Sequence, residues 1–316
     1  MKKLIYALLP FASGFAALAV AILVPDSSKH PEASHPWFAW LTVGIMVYFA
    51  AKMLAFAISG RGIDAAVYKA PFTAAVLLFL NLLNLVTVKL ALLPVLYFPS
   101  LDRILGSIVE DYPLIFKCMG YSFRILITGV LGGALIGFFM GVGIGFSKKL
   151  NYWLMPVIRI LGPIPSTAWI PIVLVAFASA RSASSFIIGI SVWFPMTIMT
   201  SSGISNVHNS YFEVSATLGA NSFWRIFRVG VPAAMPHIFL GLFNGVCGSF
   251  IALMTAEMIG AKYGLGWYVN WQKDMMAYAN VYAGLIVIAV LFFIIITLLF
   301  RLRDRILVWQ KGVIKW

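Results

Sequence analysis

The side chains that most often carry out chemistry are few in this chain and are not grouped for it. The histidines and cysteines show no metal-ligand or disulfide spacing at their six positions: His30, His35, His208, His237, Cys118 and Cys247. No Gly-x-x-x-x-Gly-Lys-Ser/Thr segment is present to cradle a nucleotide phosphate. We therefore expect the chain to bind no metal or cofactor and to have no enzymatic activity of its own.

The composition indicates an all-α, polytopic helical membrane protein. The 316 residues are 62% hydrophobic and only 10% charged, with a mean hydropathy of +0.96, whereas a soluble domain has about 25% charged residues. Apolar runs of about 18 or more residues are long enough to cross a bilayer as helices. We predict eight transmembrane spans: 4–24, 37–58, 71–97, 121–145, 153–180, 184–204, 233–256 and 281–300.

The positions of lysine and arginine predict the orientation, because cytoplasmic loops are enriched in both. With the N-terminus inside, thirteen of the 23 basic residues fall in inner loops and six in outer loops. The remaining four lie within the spans: Lys52, Lys89, Arg124 and Arg159. Both termini and segment 206–232 are therefore expected in the cytoplasm. The net charge of +13 is explained by this topology, and we expect no nucleic-acid partner.

Glycine recurs every fourth residue along the predicted fourth span, at Gly129, Gly133, Gly137, Gly141 and Gly145. This spacing places the glycines on one nearly bare ridge of a helix. In lipid, such small-residue ridges let two helices approach closely. The fourth span is therefore expected at the packed centre of the bundle.

Prolines interrupt the predicted fifth span at Pro163, Pro165 and Pro171. Each proline lacks a backbone N–H donor and disfavours helix in the residue before it. Broken backbone at membrane depth is tolerated where it contacts protein or a water-filled cavity. The segment is thus either the wall of a transport path or a plain kink filled by neighbouring side chains.

Segment 206–232 is the longest polar interruption in the second half of the chain. Ser210 and Glu213 have capping-box spacing and predict the start of a short helix. Gly219 is suited to the left-handed conformation at which helices commonly end. Asn221 or Ser222 can cap a second short helix that carries Arg225 and Arg228 on one face, and Pro232 suits the first turn of the next span. The segment is either a folded helix-turn-helix or a connector on the lipid headgroups.

These segments together resemble the bacterial ABC-importer permeases, most closely those for taurine, sulfonates and nitrate. Glu213, Gly219 and Pro232 match the cytoplasmic "EAA" loop of that family, whose two alanines are Val214 and Ser215 here. The proline segment keeps the family's three prolines and Ala168 at the same spacing. Further matching segments are Phe98–Ser100, Trp193–Pro195, Gly203, Ala256–Gly260 and Gly264–Gly266. The resemblance covers about residues 71–305.

The resemblance implies a permease subunit that works with two cytoplasmic ATPase subunits, a second permease copy and an extracytoplasmic solute-binding protein in the bacterial cytoplasmic membrane. ATP and Mg would be used by the ATPase partners alone. It assigns ATPase coupling to Glu213, Val214, Ser215, Gly219, Arg225, Arg228 and Pro232. The residues expected to line or shape the solute path are Arg159, Pro163, Pro165, Trp169, Pro171, Trp193 and Glu257.

Two departures bear on the solute and on the domain organisation. Gly162 stands where the family has an arginine, although the unpaired basic residues of the spans still favour a small organic or inorganic anion. Residues 1–58 form two additional helices before the permease domain at 71–305, and a basic tail follows at 306–316. The apolar run at the N-terminus favours a retained anchor over a cleaved signal peptide. A secondary transporter or channel remains the alternative, although no acidic residue lies within a predicted span except Glu257, at the outer edge of the seventh.

Overall fold

The computed structural model describes residues 2–28, 35–58 and 64–309, and within these ranges the chain is helical without strands. Seven of its helices are long and apolar enough to cross a membrane, or eight if one bent pair counts as a single span. This agrees with the predicted fold class. The predicted tail at 306–316 lies mostly outside the described residues.

The first unit comprises Met1–Tyr112 and Trp271–Leu285, and the second comprises Pro113–Asn270 and Ile286–Trp316. The helices in chain order are α1 Lys2–Leu23, α2 Trp37–Ile58, α3 Asp64–Asn84, α4 Leu101–Glu110, α5 Tyr112–Phe146, α6 Lys148–Leu161, α7 Ile170–Ala176, α8 Ala180–Ser205, α9 Asn209–Thr217, α10 Ser222–Trp224, α11 Val231–Gly260, α12 Leu265–Asp274 and α13 Tyr278–Ile306. Three short turns of other helix types join them: π-helices at Leu85–Lys89 and Arg225–Gly230, and a 3₁₀-helix at Ser166–Trp169.

In the first unit, Lys89 ties the end of α1 to the end of α3. Its side chain is only 4% exposed, and its ammonium lies 2.7 Å from the Asp26 carboxylate. The same ammonium donates to the Ala21 carbonyl at 2.9 Å, one of the helix-end carbonyls that has no partner within α1. The third span was predicted to continue to residue 97, but helix ends at Lys89, where this contact holds it.

The start of α2 is capped from α4. The Phe38 amide donates to the Asp102 carboxylate at 2.8 Å, which satisfies one of the free N–H groups at a helix N-terminus. Burial raises the pKa of the Asp102 carboxyl above its usual range, and the hydrogen bond from Phe38 partly opposes that change.

The second unit is built around α5, α8 and α11. The glycine ridge of α5 lies directly on α8: a Cβ at Gly137 would lie 2.7 Å from the Trp193 carbonyl oxygen, and one at Gly141 would lie 2.6 Å from Thr200 Cβ. Helix α11 approaches α8 just as closely, because a Cβ at Gly245 of α11 would lie 3.0 Å from the Val192 Cα. The predicted close approach of the fourth span is therefore confirmed. The apolar core of the second unit includes residues of all three helices that are 1% exposed or less: Ile125, Ile187, Ile188, Val192 and Leu253.

We predict that Gly137→Leu disrupts the second unit. Its side chain would be forced into the backbone of α8, and overpacking of this kind costs about 1–3 kcal/mol or more. The matched control is Gly132→Leu, because a Cβ at Gly132 meets nothing within 4 Å. Thermal unfolding of the purified protein can be monitored by size-exclusion chromatography. The midpoint temperature of unfolding should be lowered for Gly137→Leu only. Equal stability of the two variants would contradict the close helix contact.

Candidate functional site

The broken span is confirmed as a sharp bend. Helix α6 and the segment Ser166–Ala176 meet at 84°, with Pro163 and Pro165 in the connection and Pro171 in the first turn of α7. The prolines produce this geometry because none of them can donate a helical hydrogen bond.

A cavity of about 570 Å³ lies between this bend and α8. Its aromatic lining residues are Trp169, Phe177, Phe186, Trp193 and Phe194. Two serines supply polar groups, and the Ser191 hydroxyl donates to the Ser166 hydroxyl at 2.7 Å. No charged side chain is among the described lining residues. The cavity therefore offers flat apolar surfaces and two hydroxyls to a bound molecule.

The Phe194 ring occupies the space beside Gly162, so that a Cβ at this position would clash with it. Gly162 is the residue that replaces the arginine of the resembling permeases. A side chain of any length is excluded here unless Phe194 moves. The sequence departure therefore leaves this position without a cationic side chain, and the Phe194 ring packs against its backbone.

The structure brings three of the seven predicted path residues into this cavity: Pro165, Trp169 and Trp193. The other four are outside its lining: Arg159, Pro163, Pro171 and Glu257. Arg159 is exposed in the last turn of α6. Five further lining residues were not predicted as part of the path, although two of them, Ser166 and Phe194, lie within the matching segments; the other three are Phe177, Phe186 and Ser191. Their position next to the prolines depends on how α7 and α8 fold back on each other.

Glu257 lies in a separate, fully buried cluster that joins α5, α11 and α12. Its two carboxyl oxygens accept hydrogen bonds from the Ser122 hydroxyl at 2.7 Å and from the Gly266 amide at 2.8 Å. The Ser122 hydroxyl in turn accepts from the Leu265 amide at 2.8 Å. Buried polar groups are tolerated when they are hydrogen-bonded in this way. The carboxyl group thus fixes the start of α12 between two long helices.

Segment 206–232 contains a compact helical turn, as predicted. Gly219 has a φ of +80°, in the left-handed region that favours glycine. Asn221 caps the next helix, since its side-chain oxygen accepts from the Trp224 amide at 2.9 Å. Pro232 lies in the first turn of α11. The loop is therefore ordered by its own backbone and side-chain hydrogen bonds.

Two details of this segment were predicted wrongly. The cap of α9 is His208, whose ring nitrogen accepts from the Ser210 amide at 3.4 Å, so that the expected capping box of Ser210 and Glu213 does not form. The second helix is not a separate short element, because α10 continues through a π-helix into α11. Arg225 and Arg228 both lie in this π-helix. Arg228 stacks 4.8 Å from the Trp224 ring centroid.

Helix α9 exposes one apolar face and packs the other. Tyr211, Val214 and Leu218 are 60%, 59% and 82% exposed and follow helical spacing. On the opposite side, the Phe212 ring lies 5.5 Å from that of Phe146, at the end of α5. Exposed apolar residues grouped on one face mark a surface for another protein or a membrane.

The membrane-length helices, the broken span and the ordered helical loop define a polytopic membrane protein of the transporter type. A profile of the family "Binding-protein-dependent transport system inner membrane component" matches residues 133–308. The bicarbonate transport system permease protein CmpB of Synechococcus elongatus is 31% identical over 222 residues, which cover 70% of this chain and 75% of that protein. The nitrate import permease NrtB of Synechocystis is 32% identical over 59% of this chain and 65% of its own length. The taurine permease TauC of Escherichia coli is 27% identical over 60% of this chain and 68% of its own length.

A solved structure shares the fold. An inward-facing MetNI methionine ABC transporter chain superposes with a TM-score of 0.53 at 17% identity, covering 62% of this chain and 98% of that chain. The chain described here belongs to the family of binding-protein-dependent transport system inner membrane components. It is a permease component, which is a transport subunit and not a catalytic one.

We predict that Glu257→Gln destabilises the protein. Each carboxyl oxygen accepts from a different donor, so the amide nitrogen would replace one of these acceptors with a donor, and an unsatisfied buried group costs about 1–3 kcal/mol. Glu110→Gln removes an exposed carboxylate and serves as the control. Thermal unfolding in detergent should show a lower midpoint for Glu257→Gln than for Glu110→Gln. Indistinguishable midpoints would mean that the cluster does not hold α12.

Proposed function

We propose that this chain is the membrane-spanning subunit of an ATP-driven importer, in which two copies form the solute path. Two cytoplasmic ATPase subunits bind and hydrolyse ATP with Mg, and an extracytoplasmic binding protein delivers the solute. Both termini lie in the cytoplasm, and the membrane is the bacterial cytoplasmic membrane. The observation that carries this proposal is the exposed apolar face of α9, presented on an ordered loop that continues into α11.

The coupling step follows from helix continuity. Helix α9 docks to the ATPase and carries Glu213, Val214 and Ser215. Gly219 forms the turn that follows this helix. Because the following helix runs without a break into α11, a displacement of the loop moves that span as a rigid body. Helices packed at close distance shift as units. Pro232 lies where the π-helix meets α11 and donates no backbone hydrogen bond there.

The solute is proposed to be a small anion. The names of three relatives support this proposal, because they are permeases for bicarbonate, nitrate and taurine. The aromatic and uncharged lining of the cavity beside the bend supports an anion that carries an apolar group, such as a sulfonate. The Ser191 hydroxyl donates to Ser166, which leaves the Ser166 hydroxyl free to donate a hydrogen bond to the anion. Arg159, which is exposed outside the cavity, is proposed to attract the anion towards the path. In an uptake assay in proteoliposomes, an alkyl sulfonate should then compete more strongly than nitrate.

We predict that Gly219→Val abolishes coupling while the permease still inserts and folds. A β-branched residue at a φ of +80° is strained by about 1 kcal/mol or more, which displaces the tip of the loop. Gly219→Asn is the matched control, because asparagine tolerates the left-handed region. The measurement is solute-stimulated ATP hydrolysis by permease and ATPase subunits co-reconstituted in liposomes.

The expected result is loss of stimulated hydrolysis for Gly219→Val and near-normal hydrolysis for Gly219→Asn. Size-exclusion chromatography of each variant checks that the permease remains folded. Undiminished hydrolysis and uptake by Gly219→Val would rule out 206–232 as the coupling element, and the segment would then be a surface connector.

A further inference from the structure

A second, polar cavity of about 510 Å³ lies on the packed side of segment 206–232. It is an open cavity bounded by the ends of α5 and α8, by α9 and by the start of the helix that leads into α11. Its lining includes Phe146, Ser205, Asn209, Phe212, Ser222 and Arg225. No acidic residue is among the described lining residues. The cavity is therefore positively charged.

The Arg225 guanidinium is only partly used by the protein. One terminal nitrogen donates to the Ser222 hydroxyl at 3.2 Å. The Nε atom is buried, yet within the described part of the chain it has no hydrogen-bond partner. A buried donor without an acceptor is costly, and an arginine donor of this kind is best satisfied by an anionic oxygen. The terminal nitrogens of the guanidinium, which Ser222 satisfies only in part, are the donors available to a ligand in the cavity.

The neighbouring groups fit the same ligand chemistry. Arginine presents a planar fork of donors that matches carboxylate, sulfate and phosphate oxygens. The hydroxyls of Ser205 and Ser222 and the amide of Asn209 add donors at the wall of the cavity. We propose that this cavity binds an oxyanion, supplied either by a free anion in the cytoplasm or by the headgroup phosphate of an anionic lipid.

This site is distinct from the surface proposed for the ATPase. Tyr211, Val214 and Leu218 are exposed on one face of α9, whereas Phe212 and Asn209 face the cavity from its other side. An anion held by Arg225 would bridge α9 to the ends of α5 and α8. It would thereby stabilise one position of the loop and regulate coupling. The regulation of coupling and the cytoplasmic location of the site rest on the proposed function. The binding of an oxyanion by the cavity does not.

Sulfate binding to the purified permease, without any ATPase, tests the site. The protein is placed in nanodiscs of zwitterionic phosphatidylcholine and titrated with sodium sulfate by calorimetry, with sodium chloride at equal ionic strength as the reference. Arg225→Gln should weaken sulfate binding about tenfold or more, since hydrogen bonds to charged groups contribute about 1.5–3 kcal/mol. Arg228→Gln removes the same charge three residues away, from a side chain that stacks on Trp224, and should bind sulfate as the unmodified protein does.

Equal weakening in both variants, or none in Arg225→Gln, would overturn the proposal. If Arg225→Gln does not fold, Arg225→Lys keeps the charge without the fork, and unweakened binding by that variant would also overturn it. Nanodiscs that contain phosphatidylglycerol separate the two sources: lost sulfate binding assigns the site to a lipid headgroup, and retained binding assigns it to a free anion. Because no ATPase is present, failure of coupling in the Gly219 variants leaves this result unaffected.

Discussion

The close packing of α8 between α5 and α11 is the contact on which the second unit depends. Bare glycines on both neighbours let the backbones approach until a Cβ at Gly141 or Gly245 would lie only 2.6 Å or 3.0 Å from the nearest atom of α8. In lipid, helices gain little from burying apolar surface against each other, so that contact of this closeness is a main source of association. The same contact also decides what α8 can transmit. A helix fitted this tightly is expected to move together with its two neighbours.

Helix α8 connects the two regions to which a function is assigned. Its middle carries Ser191, Trp193 and Phe194 at the wall of the aromatic cavity. Its last residue, Ser205, lines the polar cavity below the coupling segment. The distance from Ser191 to Ser205 is about 21 Å along the helix axis, at 1.5 Å per residue. A displacement of the loop can therefore reach the solute cavity through a single packed helix, while the Glu257 cluster keeps α12 fixed to α5 and α11.

The sequence alone predicted the features that depend on local chemistry. The glycine ridge needs only a four-residue spacing, the bend needs only the prolines, and Gly219 needs only the preference of glycine for the left-handed region. The errors arose where long-range contacts or competing local structure decide the outcome. The His208 ring took the capping role from Ser210, and the pairing of Lys89 with Asp26 across 63 residues of sequence left no signal in the sequence. Likewise, the Phe194 ring packs against Gly162 only because two segments distant in sequence fold together.

The central claim is that the exposed face of α9 is cytoplasmic and docks to an ATPase. The most direct measurement is the rate at which a thiol reagent modifies Leu218→Cys, in a background without the native cysteines, in inside-out vesicles with and without the ATPase subunits. The account predicts rapid labelling without the ATPase, strong protection in its presence, and no labelling by an impermeant reagent in intact cells. Labelling from outside intact cells, or an unchanged rate when the ATPase is bound, would contradict it.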